Sequence, residues 1–110
     1  MNEDFKNEKL CREVSRQAAM FILNNTNHTS LITVTNIVIS VNGKTGMVLI
    51  SVIPDHKEGA ALDFLKRQER EFTHYLKENI KTAFIPRFRF EIDRGEKNRQ
   101  RIEEISQNSL

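Results

Sequence analysis

The sequence predicts a two-layer α/β domain of the α+β kind, a three-stranded sheet packed against helices. Three observations predict it. Apolar residues recur at helical spacing from Leu10 to Ile22. Two β-branched runs, Leu31–Val41 and Met47–Ile53, flank a turn that contains Gly43 and Gly46. After a second helical stretch, Arg87–Ile92 alternates strictly between charged and apolar residues. With 110 residues, 38% hydrophobic and 29% charged, the chain suits one folded unit and has little room for a second core.

In the first helix, Val14, Ala18, Phe21 and Ile22 continue the stripe begun by Leu10, which gives the helix one face to bury. It should end near Asn24–Asn27, where amide and hydroxyl side chains compete for terminal backbone groups. In the first β-branched run, Ile32 and Val34 share a face, Asn36 interrupts, and Ile37, Ile39 and Val41 take the opposite parity. A bulge or twist around Asn36 reconciles both rows with one core, because one inserted residue resets the face. Asn42-Gly43-Lys44-Thr45-Gly46 then closes an antiparallel hairpin, its glycines permitting positive φ at the reversal.

Pro54 ends the second strand, and Asp55 with Glu58 three residues later predicts a capping box. The apolar stripe Leu62, Leu65, Phe72, Leu76, Ile80 and Ala83 extends a helix over roughly 25 residues. Gln68-Glu69-Arg70 offers it no large apolar anchor, so a bend or interruption is expected there. Pro86 restarts the chain as a strand with Phe88, Phe90 and Ile92 inward and Arg87, Arg89 and Glu91 outward. Asp93 and Glu96 are placed to cap a short final helix containing Ile102 and Ile105. The expected organisation is a flexible segment over 1–7, one domain over 8–105 and a flexible tail over 106–110.

Signals for catalysis are weak. A single cysteine excludes an intrachain disulfide and any multi-cysteine zinc site. Cys11 lies one position from the apolar seam of the first helix and reads as a semi-buried structural thiol. His28, His56 and His74 fall in different elements without a metal-ligand spacing, so no metal is expected. Gly43-Lys44-Thr45 looks like the end of a phosphate-binding loop, but it lacks the upstream glycine and joins two strands. It reads as a hairpin turn. Asp55, Glu58, Asp93 and Glu96 have capping explanations and form no evident acid/base pair. Neither an enzymatic activity nor a cofactor is expected. No run approaches the roughly 20 apolar residues of a membrane span, and the N-terminus is too polar for a secretory signal. A cytoplasmic location with no membrane partner follows as the expectation.

The distribution of charge says more than the formal net charge of +2. Residues 66–101 hold 11 Lys or Arg against 6 acids, whereas residues 1–65 hold 6 against 7. Lys66, Arg67 and Arg70 cluster near the suspected helix break, Arg87 and Arg89 line one strand face, and Lys97, Arg99 and Arg101 follow. Long cationic side chains gathered on one surface bind a phosphodiester backbone through charge and hydrogen bonds. The same charges also suit an ordinary solvated face or a protein-binding surface. Charge alone leaves these alternatives open.

Three segments narrow the choice: Leu31-Ile-Thr-Val-Thr35, Val48-Leu-Ile-Ser-Val-Ile53, and Ile85-Pro-Arg-Phe-Arg-Phe-Glu-Ile-Asp93 followed by Arg101-Ile102. Together they resemble the bacterial ribosome-binding factor A family over roughly residues 8–105. The resemblance implies a KH-like domain that binds the immature small (30S) ribosomal subunit and assists late maturation of its 16S rRNA, especially in the cold. It implies no enzymatic activity, and a monomer is expected. Where the family generally carries an Ala-x-Gly interruption, this chain has Gln68-Glu69-Arg70. Arg101 matches the family's basic residue after the last strand. The candidate RNA contacts are therefore Arg70, Arg87, Arg89, Arg101, Lys66 and Arg67. They would dock on folded 16S rRNA and adjacent ribosomal protein by charge, without reading bases. The competing reading is a small protein-binding adaptor with no direct RNA contact.

Overall fold

The computed structural model describes residues 2–95, with side chains from Asn7 onward. In chain order the elements are α1 (Asn2–Asn25), β1 (Leu31–Ile39), β2 (Thr45–Ile53), a 3-10 turn (Asp55–Lys57), α2 (Glu58–Arg67), α3 (Glu69–Asn79) and β3 (Arg87–Ile92). The strands form one mixed sheet in the order β1-β2-β3, with β1 antiparallel and β3 parallel to β2. A parallel neighbour needs a crossover, and α2 with α3 supplies it. The result is a KH-like two-layer domain whose helices cover one face of the sheet. Among the described residues no helix is long and apolar enough to cross a membrane.

The helical stripes meet the inward strand rows in one core. Val14, Ala18, Phe21 and Ile22 of α1, Leu65 of α2, and Phe72 and Leu76 of α3 are buried with Val48, Ile50, Val52, Phe88, Phe90 and Ile92. Phe72 sits at the centre, its ring centroid 5.2 Å from that of Phe21, 5.0 Å from Phe90 and 6.5 Å from Phe88. These tilted and edge-on arrangements favour the ring quadrupoles.

The expected reset of β1 occurs where the parity changes. Val34 pairs with Ile50 and Asn36 with Leu49, leaving Thr35 as the extra residue of a bulge. Ile32 and Val34 before it, and Ile37 and Ile39 after it, all pack on the core. The Thr35 hydroxyl donates to the Asp93 carboxylate at 2.5 Å, so the bulge is tied across β2 to the end of β3. Val41, expected in the same inward row, lies beyond the end of β1 and is fully exposed.

Gly43 and Gly46 have different roles. Gly43 takes the reversal at φ 72°, with its N–H donating to the Ser40 carbonyl at 2.9 Å and the Lys44 N–H to the Asn42 side-chain oxygen at 3.0 Å. Gly46 is a buried strand residue and needs no positive φ. A Cβ there would lie 2.7 Å from Cδ1 of Phe88 and 2.9 Å from the Val38 carbonyl oxygen. Glycine at this position lets the Phe88 ring rest on the β2 backbone. We expect Gly46→Ala to destabilise the domain by about 1–3 kcal/mol through overpacking. Chemical denaturation checks this, and unchanged stability would mean that Phe88 moves aside freely.

Two helix expectations need correction. No capping box forms: Asp55 enters a 3-10 turn, α2 begins at Glu58, and neither start has a side-chain cap. Glu58 instead comes within 3.6 Å of Arg94. The second stripe also ends earlier than expected, because α3 stops at Asn79 and Ala83 is exposed in the connection to β3. The expected interruption is present. Gln68, at φ −98° and ψ 2°, separates α2 from α3, and its N–H bonds the Leu65 carbonyl at 2.9 Å. That conformation is sterically open to any L-residue, so the break requires no glycine. The final helix expected around Ile102 and Ile105 lies outside the described residues.

Candidate nucleic-acid interface

The break and the edge strand together make a cationic groove. Lys66 and Arg67 close α2, where positive charge complements the helix C-terminus. Arg70 lies in the first turn of α3, and His74 and Lys77 follow on the same helical face one and two turns later. In β3 the burial of Phe88 and Phe90 forces Arg87 and Arg89 outward. All seven of these residues line an open depression of about 970 Å³. Arg87 and Arg89 also border the uncovered sheet face beside Val38, Thr45 and Met47.

The cations differ in availability. Lys66 bonds Glu91 at 2.8 Å, and His74 contacts Glu78 at 3.0 Å. Arg67, Arg70, Arg87 and Arg89 make no ion pair among the described residues. Four guanidiniums therefore face solvent from three elements, each with a planar donor fork that matches a phosphate. Two acids also line it: Glu71 is exposed, and the half-buried Glu69 accepts the Phe90 N–H at 2.9 Å.

Five sequence-derived candidates, Lys66, Arg67, Arg70, Arg87 and Arg89, are brought together on this surface. Arg101 lies outside the described residues, as do Lys97 and Arg99. The sequence reading overlooked His74 and Lys77, although their spacing from Arg70 is that of one helical face. Cys11 is half-buried with its Sγ 3.9 Å from the Ile37 carbonyl oxygen, and burial pushes its thiol pKa up. A reactive thiol needs the opposite shift. Among the described residues, no three His, Cys, Asp or Glu side chains are grouped to hold a metal ion.

Residues 6–106 match the family model described as ribosome-binding factor A. The chain belongs to the ribosome-binding factor A family. Members are non-catalytic factors. The crystal structure of ribosome-binding factor A from Thermus thermophilus superposes with a TM-score of 0.68 at 24% identity, over 77% of this chain and 92% of that one. A homology model of the Thermus thermophilus factor, fitted into a cryo-EM map of a 30S complex, gives 0.64 at 26% identity over 76% and 91%. The solution NMR structure of a protein from Thermotoga maritima gives 0.62 at 20% identity over 80% and 87%. No curated protein matches at the sequence level.

Proposed function

We propose that this protein is a cytoplasmic ribosome assembly factor that binds the immature 30S subunit through the cationic groove and assists late maturation of its 16S rRNA. The observation that carries the reading is the convergence of Arg67, Arg70, Arg87 and Arg89, free of ion pairs among the described residues, in a member of this family. The Thermus relative placed in a 30S complex supports the same partner. Arg101 extends the proposed contact set on the strength of the family resemblance.

Docking by phosphate contacts fixes position and orientation without reading sequence. A factor that binds one rRNA conformation more tightly than another shifts the population toward it, so the step needs no nucleotide hydrolysis and no metal. Assistance in the cold fits the same scheme, since rRNA that is slow to leave a wrong conformation gains most from such a bias.

Crosslinking in cells, followed by identification of RNA and protein contacts, tests the proposal. The expected result is 16S rRNA crosslinked to the groove, together with an adjacent small-subunit protein. Recovery of a non-ribosomal protein alone would replace this function with that of an adaptor.

A further inference from the structure

Strand β3 is an edge of the sheet, and its amides alternate in direction. The Arg87 N–H donates to Lys44 at 3.0 Å and the Asp93 N–H to Ile50 at 2.8 Å, so those amides face β2. Phe88, Phe90 and Ile92 therefore direct their N–H groups away from β2, toward the cationic groove, where Phe88 and Phe90 lie covered. Such an edge is a template for an extended ligand, which needs main-chain donors as well as charge.

Here the middle donor is taken. Glu69, the first residue of α3, places Oε2 2.9 Å from the Phe90 nitrogen. The break at Gln68 allows this, because it starts a new helix beside β3 instead of continuing α2 past it. The plug also sets a carboxylate among Lys66, Arg67 and Arg70, at the place where a single strand lying along β3 would bring its backbone. Phosphates that bridge the rim, from Arg67 and Arg70 to Arg87 and Arg89, need not approach that edge.

We infer that Glu69 is a specificity-determining residue that closes the β3 edge to single-stranded RNA and leaves the groove for the backbone of structured RNA. The inference rests on the RNA-docking function proposed above. Removing the side chain frees the Phe90 N–H and deletes a negative charge. Replacing it with Gln deletes the charge but keeps an oxygen to accept that N–H. The two variants thus separate occupation of the edge from electrostatics.

Full-length wild type, Glu69→Ala and Glu69→Gln are titrated by fluorescence anisotropy against a single-stranded oligouridylate and an RNA hairpin of equal length. Circular dichroism confirms the fold of each variant. We expect Glu69→Ala to bind the single strand roughly 3- to 10-fold more tightly than wild type, the range for one added hydrogen bond. Glu69→Gln should gain clearly less, and the hairpin should respond equally to both variants. Equal gains from both variants on both RNAs, or no gain on the single strand, would overturn the role of Glu69 while leaving hairpin docking intact. Self-association of Glu69→Ala through the exposed edge would also overturn it, assigning the carboxylate to protection against strand pairing. If wild type binds neither RNA at low salt, the docking function itself fails, and the inference with it.

Discussion

Reversing Arg70, Arg87 and Arg89 together to Glu is expected to leave the domain folded and to remove most of its affinity for immature small subunits. The three side chains are exposed, and none makes an ion pair among the described residues. Their replacement therefore breaks no described salt bridge while turning phosphate attraction into repulsion. If each lost charged contact contributes about 1 kcal/mol, binding at low salt falls on the order of a hundredfold. The difference from wild type should shrink as salt rises, because both attraction and repulsion are screened. Sedimentation with immature subunits at several salt concentrations measures this, with circular dichroism as the folding control. In cells grown in the cold, the variant should accumulate small-subunit precursors. A folded triple variant that binds and complements normally would place the docking surface elsewhere.

The second large effect concerns stability. Phe88→Ala and Phe90→Ala should each cost about 3–5 kcal/mol, since both side chains are 0% exposed and neither site can collapse easily. The Phe90 ring meets Phe72 at a tilt, whereas Phe88 lies between Phe72 and the bare backbone of Gly46. Losses of this size are a large share of a small domain's total stability. Urea unfolding of the two variants checks the assignment, and near-wild-type midpoints in both would contradict the inward placement of this strand row.

Within the elements, local periodicity was a good guide to which residues face the core, although it carried the stripes too far, to Val41 and Ala83. Two-residue alternation in β3 determined that Phe88 and Phe90 go in and Arg87 and Arg89 go out. The parity change at Asn36 pointed to a bulge or twist that puts Ile32 and Ile37 on one core, and the strand register shows that it is a bulge. The missing anchor at Gln68–Arg70 pointed to a bend or interruption of the long helical stretch, which is the break between α2 and α3. These features depend on neighbours in the chain, and local periodicity records them.

Tertiary contacts decided the rest. Gly46 looks like a turn residue until Phe88, 42 positions later, is laid across it. Glu58 and Asp55 form a capping-box spacing, but the turn after Pro54 delays α2 until Glu58, where that carboxylate meets Arg94. The groove itself is the plainest case. Its charge was visible as two separate clusters, at 66–70 and 87–89, but only the parallel placement of β3 beside the crossover helices makes them one surface. The same packing added His74 and Lys77 to the groove and gave Glu69 the Phe90 amide, because which side chain meets an open strand edge is set by how helix and sheet are docked and not by either sequence alone.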